Sequence, residues 1–279
     1  MKVKSALLLA SLALVGFAVK PSAAGASDGS ADNSGDHKHT LANHAETNAR
    51  AIRDARTTRP QSGNGINYHN GPVMLGTTNV YVVWYGNWPA TSTTPAILTD
   101  LLSNIGGSPY FNINTTYYNA AKVKVSNSVH YAGAVNDAYS QGVNLSDAGV
   151  QSVVSKAIAS GALPKDTNGV YFVLTSADVF ETSGFLTQYC GWHSNGAIAG
   201  ADIKYSFVGD PGRNMAACSA QTTSPNNNAN ADAMSSVIAH ELEETVSDPD
   251  LNAWYDSRGA ENADKCAWTF GTAYRTANG

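Results

Sequence analysis

Thr78-Asn-Val-Tyr-Val-Val-Trp-Tyr85 and Gly169-Val-Tyr-Phe-Val-Leu-Thr175 decide the fold class. Each is a continuous β-branched and aromatic run, the pattern of a strand buried on both faces. Helical spacing appears between and around them. Leu98, Leu101, Leu102 and Ile105 recur with a 3.6-residue period until Gly106-Gly107 stops them. Ser146 is placed to cap a helix carrying Val150, Val153, Val154, Ala157 and Ile158, with Leu145 and Val150 as a hydrophobic staple. Lys122-Val-Lys-Val125 alternates and predicts a strand running on to His130 or Tyr131, and Ile203, Tyr205 and Phe207 mark a later one. Strands alternate with helices, so residues 66–279 are expected to form one α/β (or α+β) domain with a mixed sheet. No internal repeat, Gly-rich phosphate loop or Gly-x-Ser-x-Gly elbow occurs.

The chain has 279 residues, 43% hydrophobic and only 14% charged, which excludes a disordered tail or a small disulfide knot. Its net charge of −5 becomes −8 without the three lysines of the first 20 residues. Such a surface repels phosphate backbones and anionic lipid, so nucleic acid is not an expected partner. Lys2 and Lys4 precede the apolar run Ala6–Val19, which ends in Pro21 and small residues through Ala26. Residues 1–26 therefore read as a secretory signal cleaved after Ala24 or Ala26. The run is shorter than the roughly 20 apolar residues of a membrane span, and no later stretch is longer, so stable membrane insertion is not expected. Residues 27–65 read as a flexible polar leader, with His37, His39 and His44 in a solvated linker rather than a metal cluster.

Secretion exposes Cys190, Cys218 and Cys266 to oxidation, and a Cys190–Cys218 bridge is expected. Beyond Cys266 the alternation leading to Asn278-Gly279 reads as the first half of a hairpin. The domain is therefore expected to be C-terminally truncated, with the partner of Cys266 in the missing tail. The alternative is a buried free thiol.

Asn230 to Val246 carries Met234, Val237, Ile238, Leu242 and Val246 at helical spacing, and Pro249 stops it. His240 and Glu244 then stand one turn apart, able to hold one ion, with Glu241 in reach of a water on it. The pattern His-Glu-x-x-Glu differs by one letter from the His-Glu-x-x-His of zinc peptidases, whose middle Glu is the general base. A third ligand is needed. Glu261 is the first candidate and Asp264 the second, because Gly259-Ala-Glu-Asn-Ala-Asp264 can turn back beneath the helix; either could instead orient His240. His193, in the aromatic loop Tyr189-Cys-Gly-Trp-His193, is a further ligand or a transition-state donor. Asp248-x-Asp250-x-Asn252 resembles the start of a calcium loop but has Ala253 where glycine is required. The competing reading is a solvated acidic face beside a structural histidine.

The chain resembles the phosphate-induced protein 1 or EXORDIUM-like family in Tyr68-His-Asn-Gly-Pro-Val73, Val82-Val-Trp-Tyr-Gly-Asn-Trp88, Val170-Tyr-Phe-Val-Leu-Thr-Ser-Ala-Asp178 and Cys190-Gly-Trp-His193. The resemblance continues through Ile238-Ala-His-Glu-Leu-Glu-Glu244, Asn252-Ala-Trp-Tyr255 and Glu261-x-x-Asp264-x-Cys266. It implies an extracellular or cell-wall protein connected with growth promotion and with phosphate or brassinosteroid response, and it supplies no reaction. The helix with its preceding sheet also resembles a divergent zincin, although Glu244 departs from the peptidase motif.

The expectation is a secreted domain in which His240, Glu244 and Glu261 hold Zn²⁺ and Glu241 acts as general base, with Asp264 and His193 as additional candidates. The second carboxylate ligand makes the metal a weaker Lewis acid. The alternative is a non-catalytic matrix or growth-signalling protein that meets an extracellular protein or cell-wall glycan through Trp84, Trp88, Trp192, Trp254 or Trp268.

Overall fold

The computed structural model describes residues 64–219, 223–272 and 274–276, together with the backbone of 37–40. The chain divides into two units; Met1–Asp32 lies outside the described residues, and with it the expected signal segment, while Asn33–Gly279 carries the fold. In chain order the strands are β1 (His37–Thr40), β2 (Asn67–Tyr68), β3 (Thr78–Tyr85), β4 (Val129–Asp137), β5 (Asn144–Leu145), β6 (Gly169–Thr175), β7 (Phe180–Glu181), β8 (Tyr189–Ile198), β9 (Ala201–Gly209) and β10 (Trp254–Tyr255). The helices are α1 (Thr94–Asn104), α2 (Asp147–Ala159), α3 (Met215–Cys218) and α4 (Ala229–Ser247).

The two apolar runs are neighbouring parallel strands at the centre, with Val80 opposite Val170 and Val83 opposite Val173. Every residue of β6 is buried. The main sheet has the order β1-β8-β9-β6-β3-β4. Strands β4, β3, β6 and β9 are parallel, β8 runs antiparallel to β9, and β1 antiparallel to β8. The sheet is therefore mixed, with helices on both faces. The side directions of two glycines in β8 show this. A methyl group on Gly191 would run into Val237 and Glu241 of α4, whereas one on Gly196, five residues on and so on the opposite face, would run into Gln151 of α2.

Helix α2 begins at Ser146, whose side chain accepts from the Gly149 N–H at 3.1 Å, and Leu145 and Val150 flanking that cap are both fully buried. Helix α1 ends just before the predicted glycine pair. Helix α4 starts at Asn228, which accepts from the Ala231 N–H at 3.0 Å, and stops at Asp248, ahead of Pro249. Among the described residues no helix is long and apolar enough to cross a membrane.

Three local readings need correction. Lys122–Val125 is not the start of a strand. Lys122 takes a left-handed φ of 62° in a turn whose N–H donates to the Asn119 carbonyl at 2.8 Å, and Val123 is exposed. The strand is Val129–Asp137, a sheet edge with a register shift opposite Val80 and Tyr81, so neither alternation nor an apolar run marks it cleanly. Tyr189–His193 is likewise a strand rather than an aromatic loop, and His193 is fully buried. Cys266, finally, is exposed, which sets aside the buried thiol, and residues 267–272 and 274–276 form no strand. Cys190 and Cys218 form the expected disulfide, tying β8 to α3. Within the segment expected to be a polar leader, His37–Thr40 pairs with the edge of β8; His44 lies outside the described residues.

Candidate metal centre

Three pieces of chain meet at the C-terminal half of α4. The helix contributes His240, Glu241 and Glu244. Strand β8 contributes His193, two residues from Gly191 and therefore on the same face, toward α4. The loop after α4 contributes Glu261 and Asp264.

That loop is organised by acid side chains that take up backbone donors. Asp248 accepts from the N–H groups of Asn252 and Ala253, both at 2.6 Å. Asp256 accepts from Arg258 and Ala260 and pairs with Lys265. Asp250 pairs with Lys204. Asp248 Oδ1 is taken up by backbone and Asp250 by Lys204, so the resemblance to a calcium loop seen in the sequence is a helix-ending turn. The Tyr68–Val73 segment braces the turn from outside: His69 N–H donates to the Ala253 carbonyl at 2.7 Å, Gly71 N–H to Asn252 at 3.1 Å, and the His69 ring stacks on Tyr255 with centroids 3.7 Å apart. A side chain at residue 71 would collide with Asn252, so the close approach requires glycine. Motifs distant in sequence thus serve one purpose, holding the loop under the helix.

Among the described residues two groups of donor atoms converge to within 4.8 Å: His193, Glu244 and Glu261, and His240, Glu244 and Asp264. Glu261 and Asp264 thus fall in different groups, and Glu244 belongs to both. His240 Nε2 lies 3.0 Å from Glu244 Oε1 and 3.6 Å from Asp264 Oδ1. The Asp264 N–H also donates to Glu244 Oε1 at 3.0 Å, which fastens the loop to the helix. His193 Nδ1 is 3.7 Å from Glu244 Oε2 and 3.5 Å from Glu241 Oε2, and its Nε2 is 3.6 Å from Glu261 Oε2. His193, Glu241 and Glu261 are fully buried, Glu244 and His240 nearly so, and Asp264 is partly open. Neither oxygen of Glu241 has a hydrogen-bond partner among the described residues.

Burial of so many acids distorts their ionisation. Burial first, and then the neighbouring carboxylates Glu244 and Asp264, hold the Glu241 proton far above the ordinary range, with His240 opposing. Glu261 is raised in the same way, by burial and by Glu244 and Asp248. Glu244 is pushed up to about 7 by burial and by Asp264. The His240 imidazole moves well upward, burial being outweighed by Glu244, Asp264 and Glu241. Among the described residues, the ion pairs of Glu241 and Glu244 are with imidazoles only. A divalent cation is the group that would let all these carboxylates ionise together.

The helix spacing showed His240, Glu241 and Glu244 directly. His193 was legible as a candidate ligand, but its strand was read as a loop because Gly191 and Gly196 interrupt the apolar pattern of β8. The available signal was the pairing of this stretch with the alternating Ile203–Phe207 segment through Ala199-Gly200, a two-residue turn with φ of 50° and 73°.

The phosphate-induced protein 1 conserved region matches residues 66–279. EXORDIUM-like 5 of Arabidopsis thaliana is 31% identical over 239 residues, covering 74% of this chain and 65% of the relative. EXORDIUM-like 3 of the same plant is 29% identical over 238 residues, 74% of this chain and 70% of its own. The protein EXORDIUM is 24% identical over 250 residues, 76% and 74% of the two chains. The match to EXORDIUM-like 5 thus spans slightly less than two thirds of that relative's length. No solved structure matches the chain.

Proposed function

We propose a metal-dependent hydrolytic function for this chain, which belongs to the phosphate-induced protein 1 or EXORDIUM-like family. The reading is a secreted protein whose zinc is held by His240 and Glu244 of the helix, completed by Asp264 of the following loop, with Glu241 as general base. The cation would supply Lewis acidity to a substrate carbonyl and to water. Glu241 would accept the proton of the attacking water and pass it to the leaving amine, as the middle acid of a His-Glu-x-x ligand pair does. The observation that carries the reading is Glu241 itself: a fully buried carboxylate with neither oxygen hydrogen-bonded among the described residues, beside converging imidazole and carboxylate donors. A buried acid in that state costs stability unless a cation or a reacting proton engages it. The Cys190–Cys218 disulfide fits the oxidising compartment that secretion implies.

The test is zinc analysis of the purified chain, with hydrolysis of a fluorogenic peptide library, for the native protein, Glu241→Gln and Glu244→Ala. The expected outcome is zinc in the native protein and in Glu241→Gln, its loss from Glu244→Ala, and a drop in turnover of about 100-fold or more for both variants. A native protein that takes up no zinc, and whose adhesion to cell-wall glycan survives chelator, would overturn this reading in favour of the non-catalytic matrix protein.

A further inference from the structure

The two oxygens of Glu244 face different donors. Oε1 lies 3.0 Å from His240 Nε2, within the group completed by Asp264. Oε2 lies 3.7 Å from His193 Nδ1, within the group completed by Glu261. We propose that the site takes two divalent cations, one between His240, Glu244 and Asp264 and the other between His193, Glu244 and Glu261, with the Glu244 carboxylate bridging them.

Three physical arguments converge. The first is spacing. Two donors each about 2.1 Å from one tetrahedral ion stand about 3.4 Å apart. His193 Nδ1–Glu244 Oε2 at 3.7 Å and His240 Nε2–Asp264 Oδ1 at 3.6 Å are too long for good hydrogen bonds and close to that ligand-to-ligand edge, and one nitrogen of His193 lies within 4.8 Å of a carboxylate oxygen of both Glu244 and Glu261. The second is charge. Glu241, Glu244, Glu261 and Asp264 together carry four negative charges when ionised, and all but Asp264 are at least 98% buried. One dication leaves two of those charges uncompensated in the interior, whereas two dications balance all four beside neutral imidazoles. The third is hydrogen bonding: Glu241, fully buried and with neither oxygen hydrogen-bonded among the described residues, points one of them to within 3.5 Å of His193 Nδ1. That places it beside the His193 group as well as on the helix of the other, where it can serve as a fourth ligand or as the base. A carboxylate bridge sets two ions about 3.5–4 Å apart, the separation at which paired metals clamp both the attacking and the leaving oxygen or nitrogen of a hydrolysis. On the hydrolytic reading above, the substrate would be an amide or ester engaged by both ions.

The inference rests on the metal reading above, and metal stoichiometry separates the two. The full chain is stripped with chelator, dialysed against Zn²⁺ and, separately, Mn²⁺, and measured by elemental analysis and electron paramagnetic resonance. The expected result is two equivalents of either metal and an exchange-coupled Mn²⁺ spectrum in the unaltered protein. Asp264→Asn and His193→Gln are each expected to fall to one equivalent with an uncoupled six-line spectrum. One equivalent and an uncoupled spectrum in the native protein overturns the paired site and leaves the single-metal reading standing. No bound metal overturns both. The native spectrum needs no variant to fold, so misfolding of either variant leaves the test intact.

Discussion

Gly191 is the residue on which the centre's spacing depends. It lies in β8 where α4 crosses most closely: an added Cβ would sit 2.5 Å from Val237 Cγ1, 2.8 Å from the Phe207 carbonyl and 3.1 Å from Glu241 Oε1. Backbone and a helix side chain cannot all retreat, so the helix must move away from the strand. Gly191→Ala is expected to lower stability by about 1–3 kcal/mol in denaturant unfolding. It should also weaken the metal uptake proposed above, because His193 is on the strand and Glu241 and Glu244 are on the helix that it pushes apart. An unchanged metal affinity would show that the strand does not form a wall of the site. Apolar spacing in the sequence identified the helix residues here, but a glycine's role as a point of close approach is a property of the pair of elements and carries no periodicity.

At the scale of elements, the N-terminal end of α4 is tied to the end of β9 by Asp210. Its Oδ1 accepts from the Gly212 N–H at 2.8 Å and from the Asn230 amide at 2.6 Å. Burial raises the Asp210 carboxyl above its usual 3.8, with those two bonds acting in the opposite sense. In the window between the usual and the raised value, the folded state keeps a proton that the unfolded chain has released. Stability therefore falls as pH rises through that window and stays at the lower level above it. Asp210→Asn keeps the accepting oxygen and removes the charge, so its unfolding free energy is expected to lose this slope. Relative to the native protein it should gain about 1 kcal/mol once pH is above the window, measured by urea unfolding from pH 3 to 8. Element boundaries themselves divide by burial. The fully buried β6, the nearly fully buried β3 and the capped α2 were legible because packing and capping leave their marks in local sequence. The edge strand β4 and the glycine-bearing β8 were not, because an edge is half-exposed and a glycine adds no apolar side chain.

For the whole molecule, the disulfide joins β8, the strand that carries His193, to the segment that leads into α4. It closes a sequence separation of 28 residues. Cross-linking that span restricts the unfolded chain by about 3–4 kcal/mol. The Cys190→Ser/Cys218→Ser double variant is expected to lose stability of that order in urea unfolding, with a smaller loss indicating residual structure across the span when unfolded. The amino-acid sequence by itself determined the buried central strands, the Ser146-capped helix, the disulfide pair and the His-Glu-x-x-Glu helix, because each is written in periodicity, capping chemistry or oxidation state. Only the tertiary structure decided that His193 lies within 4 Å of Glu241 and Glu244, that Glu261 and Asp264 fall in different donor groups, and that Glu244 belongs to both. Those relations depend on how β8, α4 and a loop of more than ten residues pack together, and sequence spacing along one chain does not specify a distance between separate elements.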